Sequence, residues 1–352
     1  MSTLEDERNN EPAERQIETT GNKLVCGLNA LLTAETRTHR HVGYKNSVSR
    51  FHMLTMSKCN ALSNELMDRT YQPKKGEKHE VFEPKYRMTI SSKYVDRVPQ
   101  SSFITNYFYQ NVISQLIPHN CACMKNKGVD YARNEFKRML RNIPIDRYCL
   151  KADMKSYFAS IQHDKLVQEL KEYISDEHAM WFFQKTIDNT NQPIGLDLGS
   201  EVYQLSATSF LNKLDHAIGN DNYIRYQDDL IYLGTKQECE HVLSMIEKET
   251  ERLGLTISRK KTFIQPVARP IHFLGFSFWK HETGKITVKR LPQKIRNERR
   301  KLRHMAKKKV PIENVKVHYQ SVRACLKYGA RSDLVKMDKY INNIFGGLKN
   351  GN

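Results

Sequence analysis

Residues 223–233, with the sequence YIRYQDDLIYL, decide the fold of this chain. Two adjacent carboxylates, Asp228 and Asp229, stand between two short runs of β-branched and aromatic residues. Such runs favour strands, and the acidic pair falls where a hairpin turn between them is expected. Acidic surface turns are common, so this pair by itself does not establish a catalytic site.

A second segment, residues 150–161 (LKADMKSYFASI), changes that interpretation. Asp153 ends a predicted strand there, and a strand end beside the hairpin gathers it with Asp228 and Asp229. Three carboxylates raise each other's pKa, and divalent cations with oxygen ligands, such as Mg²⁺, resolve the conflict. The pattern predicts two Mg²⁺ ions, with Mn²⁺ as an alternative, about 3.5–4 Å apart. Such a pair supports nucleotidyl transfer, activating a primer 3′-hydroxyl and stabilising the leaving pyrophosphate.

The composition indicates a polyanionic partner. Lys and Arg number 57 against 39 Asp and Glu, which gives the 352-residue chain a net charge of +18. Neutralising phosphates releases condensed counterions, so nucleic acid is the default partner. A membrane surface is the competing partner, but no apolar run approaches the roughly 20 residues of a spanning helix. The N-terminus has no apolar signal core and the seven cysteines are scattered, so we expect a cytoplasmic protein with reduced thiols.

Hydrophobic periodicity and turn signals predict a mixed chain. A hairpin is expected at 70–90, where Pro and Gly interrupt helical spacing, and a strand at 147–153. From residue 285 onward the chain is expected to be helical and strongly basic. Apolar spacing of three and four predicts helices at 23–33, 51–69, 102–117, 163–175, 199–218 and 237–253.

The quoted residues resemble reverse transcriptases over roughly positions 45–345. YQDD at 226–229 is similar to the family's YxDD box, and Asp153 with Phe158 is similar to its first catalytic motif. The chain resembles bacterial enzymes of diversity-generating retroelements and antiphage defence, with group II introns and retrons more distant. This implies an α+β right-hand polymerase, with fingers, an antiparallel palm sheet backed by helices, and a basic helical thumb. The implied domains are a disordered tail (1–21), an N-terminal helical extension (22–72), fingers and palm (73–284) and a thumb (285–352).

The resemblance also implies a nucleotide site. Lys85 and Arg87 match the fingers motif that grips the incoming triphosphate, since an Arg pairs bidentately with phosphate oxygens. A solvated basic hairpin is the alternative for both. Phe158, five residues after Asp153, matches the aromatic gate that blocks a ribose 2′-hydroxyl, and a core aromatic is its alternative.

Residues 198–204 (LGSEVYQ) align with a segment that reads Q-G-x-x-x-S-P in many relatives. Leu198 replaces the Gln that contacts the nucleotide, Gly199 is retained, and Gln204 replaces the Pro. Because a polar contact is lost, we hypothesise modest fidelity. Tyr203 stands where the diversity-generating and defence enzymes usually have Ser.

The remaining implied contacts are basic or lie near the primer end. Lys261, in the KKT stretch, is either a proton donor to the pyrophosphate or a phosphate-binding residue. The basic run after residue 285 is expected to bind the template–primer duplex, although charge runs are usually solvated helix faces. The residues implied to contact primer or template are Tyr226, Gly275, Lys125, Lys127, Lys294, Arg296, Arg299, Arg300 and Arg303.

Several functions remain open at this point. The expected enzyme copies an RNA template, such as a dedicated noncoding RNA, into cDNA from dNTPs, with a role in antiphage defence. A low-fidelity diversity-generating reverse transcriptase, an RNA-dependent RNA polymerase and a non-catalytic RNA-binding protein are the alternatives. Untemplated synthesis and protein priming also stay open, as does an accessory protein or a homo-oligomer.

Overall fold

The computed structural model describes residues 25–82, 86–189, 192–197, 199–219 and 221–346. The helices are α1 (Leu28–His39), α2 (Asn46–Met53), α3 (Thr55–Met67), α4 (Tyr94–Phe103), α5 (Val129–Asn142), α6 (Tyr157–Ser160), α7 (His163–Leu170), α8 (Glu177–Asp188), α9 (Glu201–Ser209), α10 (Asn212–Ile218), α11 (Lys236–Arg252), α12 (Pro292–Lys307), α13 (Ile312–Lys327) and α14 (Arg331–Phe345). The strands are β1 (Glu77–Val81), β2 (Arg87–Ser91), β3 (Tyr148–Asp153), β4 (Tyr223–Tyr226), β5 (Asp229–Gly234), β6 (Phe263–Pro266), β7 (Ile271–Phe273), β8 (Phe276–Lys280) and β9 (Ile286–Arg290).

The chain forms two compact units, and each is assembled from separate segments. Among the described residues, the first contains those from 25 to 124, 154 to 219 and 246 to 257. The second contains those from 125 to 153, 221 to 245 and 258 to 346. Sequence order alone therefore does not delimit either unit.

The first unit is mainly helical around an aromatic core. The ring of Phe103, at the end of α4, lies 5.3 Å from that of Phe182 and 5.7 Å from that of Phe108. The chain between α4 and Tyr109 forms a π-helical turn, Ile104–Phe108. β1 and β2 pair as the predicted antiparallel hairpin, in a register that sets Val81 opposite Arg87.

The second unit contains two antiparallel sheets and a helical bundle. One sheet has the strand order β4-β5-β3-β6 and the other β7-β8-β9. Helix α5 packs on the second sheet because Phe136 lies edge-on to Phe273 and Phe278, with centroids 5.2 and 5.0 Å away. Helices α12, α13 and α14 enclose a core of Leu302, Val315, Tyr319, Leu326, Met337 and Ile341.

The structure corrects several predicted boundaries. The helix expected at 51–69 is divided at Leu54 into α2 and α3, and the one expected at 199–218 is divided into α9 and α10. The helix expected at 102–117 begins earlier, at Tyr94, and changes to a π turn. The helix expected at 163–175 ends at Leu170. The tail predicted at 1–21 lies outside the described residues, and the predicted domain boundaries stay a prediction.

The chain after residue 285 is not helical at once, which is a further correction. Ile286–Arg290 forms β9, antiparallel to β8, and α12 begins only at Pro292. The β-branched residues Ile286, Thr287 and Val288 favour a strand, and Pro is suited to the first turn of a helix. The basic run therefore begins on a sheet edge and continues on a helix.

Candidate active site

A tight turn between β4 and β5 carries the adjacent aspartates. The two strands pair so that Tyr226 is opposite Asp229, which leaves Gln227 and Asp228 as the turn. β5 also pairs with β3, and this register sets Asp153 opposite Asp229. The structure thus brings Asp153, Asp228 and Asp229 to one edge of a single sheet in the second unit.

Arg225 supports the backbone of this turn. It is fully buried on β4, and its Nη1 donates a hydrogen bond of 3.1 Å to the carbonyl oxygen of Gln227. Gln227 has a φ of 57°, a left-handed conformation that costs a non-glycine residue energy unless its surroundings hold it. The buried guanidinium is one group that holds it.

Lys261 lies against the first aspartate. Its Nζ is 2.8 and 3.0 Å from the two carboxylate oxygens of Asp153, which is 9% exposed at the end of β3. The Asp153 backbone N–H donates to the Thr262 hydroxyl at 3.3 Å, and its carbonyl accepts from the Ser258 N–H at 2.8 Å. The hydrogen bond to Asp153 raises the pKa of Lys261, so its ammonium stays charged. Its side chain is 60% exposed and therefore accessible to a phosphate.

A second lysine lies against Asp229. The Nζ of Lys151, in the middle of β3, is 2.8 Å from the Asp229 Oδ1 and donates to the His272 carbonyl at 2.8 Å. Burial raises the pKa of Asp229, the nearby Lys151 opposes that rise, and the charges of Asp153 and Asp228 add to it. Burial is thus the main reason that the pKa of Asp229 is raised, and Lys151 limits the rise.

The donor set is chemically suited to a divalent cation. Carboxylate oxygens are the ligands that Mg²⁺ prefers, and three carboxylates gathered at one place need cationic compensation. Lys151 and Lys261 supply part of it. Within the part of the chain that the structure describes, no three His, Cys, Asp or Glu side chains already stand as a complete ligand set. The residues present fit a magnesium site in which the lysine contacts would have to adjust.

The turn between β7 and β8 carries Gly275, which was predicted to contact the primer or template, and we call it the primer-grip turn. Leu274 and Gly275 both have positive φ, 44° and 84°. Arg133 of α5 donates two hydrogen bonds to the Leu274 carbonyl, 3.2 Å from Nε and 2.7 Å from Nη2. The Phe276 ring lies 4.4 Å from the Arg133 guanidinium and 4.9 Å from that of Arg290. Cation–π contacts and these bonds fix the turn.

Three predicted nucleotide contacts lie within the first unit. Phe158 is half-buried and meets the ring of Tyr157 edge-on, with centroids 5.7 Å apart. A Cβ on Gly199 would lie 2.1 Å from the Ile90 carbonyl oxygen, so only glycine fits beside β2. The Gln204 Oε1 accepts a weak bond from the Cys123 Sγ at 3.9 Å.

Three further predicted nucleotide contacts have side chains outside the described part of the structure. Lys85 and Leu198 lie outside the described residues. Arg87 pairs with Val81 through its backbone, and its side chain lies outside the described part of the structure. These three assignments stay predictions.

The predicted primer and template contacts differ in exposure. Tyr226 is half-buried at the end of β4, Lys125 is exposed, and Lys127 lies 5.8 Å from the Tyr131 ring. On α12, Arg299 lies over the Tyr340 ring at 4.9 Å and is half-buried. The exposed members on α12 are Lys294, Arg296, Arg300 and Arg303.

Three charged residues of the site were missed in the sequence: Lys151, Arg225 and Arg133. Lys151 and Arg225 each interrupt an otherwise apolar or aromatic strand, which was the available signal. Arg133 belongs to an ordinary amphipathic helix and has no such signal. The partners Asp229 and His272 of Lys151, and Leu274 of Arg133, lie far away in the chain.

Comparison with known proteins decides the family. A model of the reverse transcriptase (RNA-dependent DNA polymerase) family matches residues 72–278, more than half of the chain. The chain belongs to the reverse transcriptase family. The predicted fold class and enzyme class, an RNA-directed DNA polymerase, are confirmed at the level of this family. The narrower bacterial branch stays a proposal.

Other comparisons add little for this reverse transcriptase. No curated protein matches its sequence. Among solved structures, apo telomerase from Candida tropicalis is similar, with a TM-score of 0.42 and 12% identity over 63% of this chain. The match covers 52% of the telomerase chain, so this chain spans about half of that chain's length. Among the described residues, no helix is long and apolar enough to cross a membrane.

Proposed function

We propose that this protein extends a primer on an RNA template, joining dNTPs by nucleotidyl transfer at Asp153, Asp228 and Asp229. The observation that carries the proposal is the strand register that sets Asp153 opposite Asp229, beside a turn carrying Asp228. Three acidic groups gathered at one sheet edge destabilise a protein unless cations balance them. Membership of the reverse transcriptase family supplies the reaction class.

The three aspartates would hold two Mg²⁺ ions. Asp153 and Asp228 would bind both ions, and Asp229 would assist at the side of the primer hydroxyl. When bound, such ions activate the primer 3′-hydroxyl and neutralise the leaving pyrophosphate. Lys261, exposed and positively charged, is suited to meet the triphosphate of the incoming nucleotide.

Other residues would select and orient the substrates. We propose that Phe158 lies beneath the sugar and excludes a 2′-hydroxyl by sterics. The backbone at Gly275 would support the primer end, because its turn is fixed by Arg133 and Arg290. Helix α12 would follow the duplex with its exposed arginines, through phosphate contacts that position without reading sequence.

We further propose that the template is a dedicated noncoding RNA and that the product cDNA serves in antiphage defence in the cytoplasm. Support for this role is limited to the sequence resemblance, from which Tyr203 departs, and to the N-terminal tail (1–21). In this structure the Tyr203 hydroxyl donates to the Thr186 carbonyl at 2.7 Å and the side chain is buried. Sequencing the nucleic acid that copurifies with the protein would identify the template.

The catalytic proposal is tested by replacing the acids of the turn. Asp228→Ala and Asp229→Ala, together, should abolish dNTP incorporation on a primed RNA template while the affinity for that template is retained. Asp146→Ala is the matched control, because Asp146 is 77% exposed just before β3, and its activity should equal that of the wild type.

Two outcomes contradict the proposal. Synthesis that persists in the double variant would show that these acids are not catalytic. A wild-type protein that binds RNA but incorporates no dNTP with Mg²⁺ or Mn²⁺ would instead indicate a non-catalytic RNA-binding protein.

A further inference from the structure

Lys151 contacts two functional elements of the second unit at once. It stands on β3 between Leu150 and Ala152, both buried, and its own side chain is 13% exposed. Its Nζ lies 2.8 Å from the Asp229 Oδ1 and 2.8 Å from the His272 carbonyl oxygen. Burying a lysine at such a position costs side-chain entropy and desolvation free energy, and these two contacts offset that cost.

The two contacts join the aspartate to the hairpin that carries the predicted primer-grip turn. Asp229 begins β5, while His272 lies in β7, two residues before Leu274. The same ammonium group donates a hydrogen bond to the His272 carbonyl and forms an ion pair with the Asp229 carboxylate. A shift of β7 relative to β3 would therefore weaken either the hydrogen bond to the His272 carbonyl or the ion pair with Asp229.

We propose that Lys151 is a positioning residue that couples the Asp229 carboxylate to the β7–β8 hairpin, keeping that carboxylate aligned with the primer end. The inference rests on the proposed roles of Asp229 and Gly275. In this role Lys151 does not contact the substrate. Lys151 would hold one oxygen of Asp229 in place and so restrict the rotation of the carboxylate.

The contact geometry separates Lys151 from the other lysine of the site. Lys261 is 60% exposed and its ammonium bonds to Asp153, so it can leave that carboxylate without disturbing a strand. Lys151 is held by two groups at once, the Asp229 carboxylate of β5 and the His272 carbonyl of β7. It is therefore suited to a fixed alignment and Lys261 to an exchangeable contact.

The first test measures synthesis. Lys151→Met keeps the approximate volume and removes the ammonium, so it should lower kcat by about 10²-fold, as a small misalignment of reacting groups does. The Kd for primed template, measured without divalent cations, should stay within about threefold of the wild type. Lys151→Arg keeps a cation and should recover part of kcat. Counting active enzyme by burst amplitude separates slower chemistry from a loss of folded protein.

The second test needs no catalysis. Thermal unfolding is compared for Lys151→Met, Asp229→Asn and the double variant in a double-mutant cycle. Removing the lysine leaves the Asp229 carboxyl without its ion-pair partner, so the single variant should lose about 4 °C or more in Tm, and the added Asp229→Asn should restore part of that loss. Lys236→Met is the matched control, because Lys236 pairs with Glu240 at 3.7 Å on an exposed helix face and should not couple to Asp229.

The outcomes distinguish the failure of this inference from the failure of the proposed function. If Lys151→Met keeps the wild-type kcat, or if its Tm loss simply adds to that of Asp229→Asn, the coupling is refuted while catalysis by the acids stands. If the aspartate variants keep synthesis, the proposed function fails whatever the unfolding cycle shows. If Lys151→Met does not fold, the double variant must fold for the inference to survive.

Discussion

Asp153 and Asp229 are direct partners across β3 and β5, so two carboxylates of like charge face each other on neighbouring strands. Such a pair destabilises a sheet. Each has its own lysine, Lys261 for Asp153 and Lys151 for Asp229, which offsets part of the repulsion. The acidic cluster therefore lowers the stability of the metal-free protein.

Replacing Arg225 should loosen the turn that carries Asp228. Arg225→Met leaves the Gln227 carbonyl without this donor, and a buried acceptor so deprived costs about 1–3 kcal/mol. Denaturant unfolding should show that loss, and primer extension should fall with it. Arg147→Met, at a 39% exposed side chain, is the control and should leave both unchanged. An Arg225→Met protein with wild-type stability would show that the turn is held by other groups.

Phe158 is expected to select deoxynucleotides. Phe158→Ala removes the ring, so the preference for dNTP over NTP, taken as the ratio of their kcat/KM values, should fall by about 10-fold or more. Tyr157→Phe is the control, because it loses the bond from its hydroxyl to the Ala207 carbonyl, keeps the ring and should keep the preference. An unchanged preference in Phe158→Ala would mean that Phe158 is a packing residue.

The exposed arginines of α12 should account for part of the salt dependence of binding. Arg296, Arg300 and Arg303 are spaced by four and three residues, which sets them on one helix face. Each Arg→Gln change should reduce the slope of log Kd against log salt by about 0.7–0.9. Arg299→Gln is the matched control, because Arg299 packs on Tyr340 and should affect stability more than the slope. Equal slopes for the wild type and the triple variant would exclude this face as the track.

Gly199 should tolerate no side chain. In Gly199→Ala the new Cβ would meet the Ile90 carbonyl at 2.1 Å, so β2 or the loop must shift, at a cost of about 1–3 kcal/mol. Gly128→Ala is the control, since a Cβ there meets nothing within 4 Å. The free energy of unfolding, from urea titration, distinguishes them. Similar values for both variants would contradict the close packing of Gly199 on β2.

Glu169 should make the first unit sensitive to acid. Burial alone would raise the pKa of Glu169, but Arg252 at 2.6 Å and Lys213 at 3.3 Å outweigh it, and the net pKa is lowered. A lowered folded pKa means stability that is present above the unfolded pKa, about 4.3, and lost as pH falls through the folded pKa. Glu169→Gln should cost about 1–3 kcal/mol at pH 7, and the difference from the wild type should shrink below about pH 4.

The control for Glu169 lies on the same side of the unit. Glu172 also contacts Lys213, at 2.6 Å, but it is 59% exposed. Glu172→Gln should therefore change stability little at any pH, because solvent screens such a pair. If the stability difference between Glu169→Gln and the wild type is the same at pH 7 and well below pH 4, the ion pairs do not account for the stabilisation.

Local patterns were sufficient to place the acids. The β-prone runs on either side of Asp228 and Asp229 determine a hairpin, and Asp153 was expected at a strand end, because strand alternation and turn chemistry act over a few residues. The same local reasoning overlooked the break at Leu54 and the strand Ile286–Arg290. There, spacing and charge suggested a helix while packing against neighbouring elements decided otherwise.

The amino-acid sequence by itself indicated the family, the three candidate carboxylates and the basic character of α12, since each shows in short local segments. Only the tertiary structure decided which cations meet those carboxylates. Lys151 reaches the His272 carbonyl, and Lys261 reaches Asp153, across more than a hundred residues of chain. The reason is physical: hydrophobic periodicity reports on neighbours along the backbone, whereas ion pairs form wherever strand register and burial bring distant side chains together.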